Sequence, residues 1–127
     1  MVIKLTNWKV LKSNFSVNFD ETRHDNSFDL NINQIFKEEV VSNEFGIIFK
    51  IEIRDKEFDL YVEFVYNFEA DSEITDEFKN SNFPKINAPA IAFPFLRAFI
   101  SNFTLQAGYE PVILPSINFV ELSNSTK

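Results

Sequence analysis

From Phe15 onward, apolar and polar residues alternate in four blocks. Phe15, Val17 and Phe19 are separated by Ser16 and Asn18, and Phe28, Leu30 and Ile32 by Asp29 and Asn31. Phe45, Ile47, Phe49, Ile51 and Ile53 alternate with Gly46, Ile48, Lys50, Glu52 and Arg54. Phe58, Leu60, Val62, Phe64, Tyr66 and Phe68 repeat the pattern. A period of two in an aromatic and β-branched run marks a strand with one buried face. The break at Asp55-Lys56 is short, which forces the last two strands into an antiparallel hairpin. Residues 20–27 and 37–43 are polar and read as longer turns or crossing connections. His24 lies in the first, with no role assigned, and Glu38-Glu39 in the second as a solvated turn. Ahead of Phe15, Ile3 and Leu5 are odd-numbered but Trp8 and Val10 even, so an extended run there needs a bulge near Asn7.

After an acidic connector, residues 69–77, the pattern changes. Residues 90–107 are helical in length and composition, with Ile91, Phe95, Phe99 and Phe103 at fourfold spacing on one face. Phe93, Leu96, Ile100 and Leu105 widen that face, leaving Arg97, Ser101 and Thr104 as a thin polar stripe. Pro94 either kinks this helix or marks its first regular turn, and Gly108 followed by Pro111 stops it. A helix apolar around most of its circumference is buried on more than one side, whereas a small sheet covers only one. Ile91, Phe95, Arg97, Phe99, Ile100 and Phe103 are therefore expected at an interface between copies, in a homodimer or homotetramer. The alternative is that the C-terminal tail wraps over the helix. Val112-Ile113-Leu114-Pro115 and Ile117-Asn118-Phe119 read as an extended apolar stretch, and residues 123–127 as a frayed end. The expected fold is a single α+β domain over residues 1–127: a four-stranded antiparallel sheet, one long helix and an extended C-terminal segment.

Composition narrows the function. The 127 residues carry a net charge of −7 without a basic stripe, which argues against nucleic acid as a partner. The chain has no Cys, one His and two Gly, too few for thiolate catalysis, a His-pair zinc site or a phosphate-cradling loop. Glu69, Asp71, Glu73, Asp76 and Glu77 lack the spacing of a calcium loop and read as solvated. Glu52 and Glu63 have no electrophile stabiliser beside them and read as surface carboxylates. No enzyme activity, metal or cofactor is expected. The longest apolar stretch, residues 88–96, contains Pro89 and Pro94 and is far shorter than the roughly 20 residues of a membrane helix. With no signal-peptide run at the start, the chain reads as soluble and cytoplasmic, with no membrane insertion. What stands out is twenty large rings: sixteen Phe, three Tyr and one Trp. Either the core is nearly all ring, or some rings face a partner.

The run Asn87-Ala88-Pro89-Ala90-Ile91-Ala92-Phe93-Pro94-Phe95-Leu96-Arg97 resembles the start of the long helix in SecB-type protein-export chaperones, with Phe93-Pro94-Phe95-Leu96-Arg97 matching its core. Pro111-Val112-Ile113-Leu114-Pro115-Ser116-Ile117-Asn118-Phe119 is similar to the segment that follows that helix in the family. The resemblance implies an ATP-independent holdase. It would bind unfolded or precursor polypeptides and pass them to the preprotein translocase motor, or protect an antitoxin in a toxin–antitoxin system. Trp8, Phe15, Ile48, Tyr61, Val65, Ile113 and Leu114 are then candidate client contacts, and Glu63 matches one acidic docking position for the motor. The first strand has Lys12, Ser13 and Asn14 where the family carries an acidic residue. After Phe119 only residues 120–127 remain, enough for a turn or two of the family's second helix.

Overall fold

A computed structural model describes residues 2–23, 26–38 and 40–125. His24, and Glu39 of the Glu38-Glu39 turn, lie outside the described residues. Four strands, β1 (Ile3–Val17), β2 (Ser27–Phe36), β3 (Glu44–Arg54) and β4 (Phe58–Ala70), form one sheet in the order β1-β4-β3-β2. All neighbours are antiparallel. The β3–β4 hairpin turns over residues 55–57, as the short break at Asp55-Lys56 requires. The link between β1 and β2 is the crossing one, since these strands sit at opposite edges. It is held against the hairpin tip: the amides of Asn18 and Asp20 donate to the carbonyls of Glu57 and Lys56 at 2.9 and 2.8 Å. Arg23 reaches the Asp55 carbonyl at 3.0 Å and Asp59 Oδ1 at 2.6 Å.

β1 is one long strand whose phase slips twice, between Leu5 and Asn7 and between Val10 and Lys12. The first slip is the bulge required near Asn7. Each slip adds one residue, so Ile3, Leu5, Trp8, Val10, Ser13 and Phe15 all stand opposite inward residues of β4. Phe19 lies beyond the strand end and is exposed, so its place in the alternating block is an accident of sequence.

The inward face of β3 and β4 is fully buried at Phe45, Ile47, Phe49, Ile51, Ile53, Phe58, Leu60, Val62, Phe64, Tyr66 and Phe68. It is covered by a helical layer. α1 (Asp76–Lys79) is capped by Thr75, whose hydroxyl accepts from the Phe78 amide. A π-helical turn, Phe83–Asn87, leads into α2 (Ala88–Gln106), and α3 (Phe119–Ser125) closes the chain. Of the end read as frayed, residues 123–125 continue this helix, and residues 126 and 127 lie outside the described residues. Pro94 lies inside α2, not at its first turn.

The deepest face of α2 is not the ring stripe at Ile91, Phe95, Phe99 and Phe103. Ala88, Ala92, Leu96, Ile100 and Thr104 at fourfold spacing, with Pro89 and Phe93, are buried on the sheet. Small side chains at Ala88 and Ala92 let the helix axis approach the strands, and the rings lean sideways over β1. The helical run Asp76–Gln106 is long and apolar enough by length and composition to cross a membrane, longer than the stretch apparent from sequence. In this fold only part of that apolar character lies on the sheet, and Ile91, Phe95 and Leu105 remain exposed.

Thr104 fastens the end of α2. Its hydroxyl donates to the Ile100 carbonyl at 2.9 Å and accepts the Val112 amide at 2.9 Å. Gly108 adopts φ 100°, a conformation a side chain resists, and turns the chain back beneath the helix end. Val112 and Leu114 then enter the core. The C-terminal segment therefore packs on the sheet beside α2 and leaves much of the helix uncovered.

Candidate functional site

Three surfaces combine accessibility with apolar or hydrogen-bonding character. The first is a seam between β1 and α2. Trp8 packs on Phe95 at 4.8 Å and on Tyr66 at 6.1 Å between ring centroids. Phe99 meets Phe64 edge-on at 4.8 Å and stacks with Phe103 at 5.9 Å, and Phe15 contacts Phe103, Phe58 and Tyr109. The row is half open: Trp8 is 45% and Phe95 43% exposed, and Val10, Leu11, Ile91 and Leu105 are also exposed. Exposed apolar side chains therefore run along the outer side of this seam. Trp8 and Phe15, read from sequence as client contacts, and Phe95, Phe99 and Phe103, read as an interface between copies, are thus one continuous surface.

The second surface is a groove between β2 and α3. It encloses about 340 Å³ and is lined by Leu30, Asn31, Ile32, Gln34, Lys85, Phe119, Leu122 and Ser123. Phe119 anchors α3 against Phe49 and Phe93. Gln34 donates from Nε2 to the Pro84 carbonyl at 3.3 Å and ties the strand to the turn before α2. Beside the groove β2 forms an edge of the sheet. These residues were not singled out by sequence. The alternation of Leu30 and Ile32 was visible, but the place of their strand at an edge was not.

The third is the outward face of the sheet. Ile48 and Val65 are a cross-strand pair and Tyr61 stands opposite Glu52, all half-buried. Gly46 leaves a dip of about 320 Å³ whose lining includes Ile35, Val65 and Asn67. A Cβ on Gly46 would come within 3.3 Å of Asn67 Oδ1. Glu63 accepts a hydrogen bond from the Tyr61 hydroxyl, which pushes the Tyr61 phenol up to about 12. Lys12 and Lys50 stand opposite Glu63 on the two neighbouring strands, and Lys12 lies over the Tyr61 ring.

Two of the expected contacts offer no surface. Ile100, on the inner face of α2, is fully buried and Leu114 is 2% exposed, because both fill the core between the helix layer and the sheet. Ile113, their accessible counterpart, is 66% exposed. Arg97 is half-buried, and among the described residues it forms no ion pair. Among the described residues no three His, Cys, Asp or Glu side chains gather where a metal could sit. The three surfaces present aromatic rings, aliphatic walls and, at β2, a strand edge.

Comparison with known proteins agrees with this geometry. The family model described as preprotein translocase subunit SecB matches residues 12–127. An uncharacterised protein of Methanocaldococcus jannaschii is 34% identical over 125 residues, covering 91% of this chain and 79% of that protein. The protein-export protein SecB of a Jannaschia species is 31% identical over 93 residues, covering 68% of this chain and 54% of its own length. Among solved structures, a SecB-like chaperone of Mycobacterium tuberculosis in complex with an antitoxin peptide superposes with a TM-score of 0.71 at 11% identity, over 91% of this chain and 87% of that one. A sheet ordered β1-β4-β3-β2 under a long proline-containing helix, matched along nearly its whole length by that family's model, belongs to the SecB family.

Proposed function

We propose that this chain is an ATP-independent, non-enzymatic holdase of the cytoplasm that binds non-native polypeptides in extended form and assembles as a homodimer or homotetramer through the α2 seam. The observation that carries the reading is the open β2 edge beside the α3 groove. β2 runs ten residues in unbroken register with β3, from Ser27 opposite Arg54 to Phe36 opposite Phe45, and among the described residues no strand pairs with its other side. A chain adding to that edge makes main-chain hydrogen bonds whatever its sequence. Its alternate side chains then face Leu30, Ile32, Phe119 and Leu122. Backbone bonding gives breadth, and the groove selects apolar segments, which is the chemistry of an unfolded protein. Family membership supports the same reading. Within it, Glu63 on the outward face is the docking position for a preprotein translocase motor.

The test is light scattering of several unrelated denatured proteins diluted into a stoichiometric amount of this protein. Aggregation should slow for all of them, and Leu122→Asp, which places a charge in the groove, should remove most of the protection. A protein that slows none would sink the holdase reading. A specialist for a single client such as an antitoxin is the second reading, favoured by the antitoxin peptide bound to the similarly folded M. tuberculosis chaperone. It predicts protection of that client alone.

A further inference from the structure

The outward face of the sheet is locally basic in an acidic chain. Across the strands, Lys50, Glu63 and Lys12 stand in one row, Ile48, Val65 and Lys9 in the next, and Gly46, Asn67 and Asn7 in a third. To the first two rows β2 adds only Asn31 and Asn33. These rows therefore hold Lys9, Lys12 and Lys50 against Glu63 alone, although the net charge of the chain is −7. Glu63 already accepts from the Tyr61 hydroxyl, and Glu52 beyond it is taken by Arg54 at 3.1 Å. Among the described residues Lys9, Lys12 and Lys50 form no ion pair, and Lys9 and Lys12 are exposed.

The third row holds the dip at Gly46. It exists because β3 presents no side chain there: a Cβ would lie 3.3 Å from Asn67 Oδ1, 3.5 Å from Val65 Cγ2 and 3.8 Å from the Ile35 Cβ. Two of its walls are aliphatic, Ile35 and Val65. A third is polar but occupied with itself. There Asn67 Nδ2 donates to Asn7 Oδ1 at 2.7 Å, and the Thr6 hydroxyl to the Asn67 carbonyl at 3.0 Å. On the remaining side Lys37 and Glu44 neutralise each other as an ion pair. About 320 Å³ walled in this way suits one apolar side chain.

We infer that this face takes an extended, acidic protein segment: one apolar side chain fills the Gly46 dip, and carboxylates two and four residues away meet Lys9 and then Lys12 with Lys50. This assignment rests on the reading of the face as a docking position and supplies the chemistry of what docks. Alternate side chains of an extended chain repeat about every 7 Å, as the rows of the sheet do, so every second residue of the segment falls on the next row. Charge decides the sign of the partner. A basic segment would meet three lysines with a single carboxylate, already engaged, to offset them. The dip shares no lining residue with the groove between β2 and α3, so a client and this segment can be held together.

The test is a titration of the isotope-labelled full chain, followed by the shifts of its backbone amides. The probe is an end-blocked peptide in which two aspartates and then a leucine alternate with serines. Saturable shifts are expected at Lys9, Gly46 and Val65. Replacing both aspartates by lysines should weaken binding by about tenfold or more. The double variant Lys9→Glu, Lys12→Glu changes only exposed side chains and should weaken the acidic peptide by about tenfold. Gly46→Ala should weaken it by about threefold and leave unchanged a peptide with alanine in place of leucine. Equal binding of the lysine peptide, no response to the double variant, or an equal effect of Gly46→Ala on the leucine and alanine peptides overturns the assignment while leaving docking at this face in place. Shifts confined to the groove beside β2 overturn it as well. Binding of neither the aspartate nor the lysine peptide overturns the docking reading together with the assignment.

Discussion

Individual residues hold the joints of this fold, and their costs are separable. Thr104 is fully buried in the core, and its hydroxyl bridges the Ile100 carbonyl and the Val112 amide. Thr104→Val keeps the shape but leaves that amide without an acceptor, so it should lose about 1–3 kcal/mol in urea denaturation. Gly108 presents the opposite case. No atom lies within 4 Å of a Cβ built on it, so Gly108→Ala meets no clash and its loss, about 1–2 kcal/mol, comes from the left-handed backbone alone. Asp59 makes the crossing connection sensitive to acid. The Asn18 side-chain Nδ2, donating at 2.8 Å, and the Arg23 guanidinium hold its carboxyl below the usual value of 3.8. A carboxyl depressed in the folded state contributes stability that is whole above that ordinary value and declines as pH falls through the depressed one. Between neutral pH and about 5 stability should therefore be insensitive to this group. Below about 4 the loss should be steeper for wild type than for Asp59→Asn, which can be followed by thermal unfolding across an acid series.

At the scale of elements, α2 divides its rings between inside and outside. Phe103 packs on Phe15 and Phe99, whereas Phe95 is 43% exposed and leans on Trp8. Phe103→Asp should cost about 3 kcal/mol or more by removing packing and stranding a charge. Phe95→Asp should leave the chain folded, by circular dichroism, and abolish concentration-dependent assembly. The strands were legible in proportion to their regularity. In β3 and β4 each inward position read from the alternation is buried, because both strands are central and flat-registered. The first half of β1 was obscured by its two bulges, which a fixed period of two cannot follow. α2 was visible as a helix within two residues at its start, but its deepest face was not, since spacing ranks Phe above Ala and the close approach to the sheet ranks them the other way. The groove lining at Leu30, Ile32, Phe119 and Leu122 depended on strand order and on a helix seven residues long, neither of which leaves a periodic trace.

For the whole molecule, the order β1-β4-β3-β2 places the first strand against the last. The β3–β4 hairpin closes over a short turn, whereas β1 pairs with residues far along the chain, up to Ile3 opposite Ala70. Loop closure therefore favours the hairpin first and docks β1 last. Pulsed hydrogen exchange during refolding should show amides of residues 45–68 protected before those of residues 3–17. The same order bears on synthesis. While a ribosome is still translating the chain, the first strand emerges with Trp8 and Phe15 and must wait, undocked, until Ala70 has cleared the exit tunnel. For that interval the newborn protein displays the sticky, half-made surface that it is proposed to shield in others, so each copy starts out as a candidate client for its finished siblings.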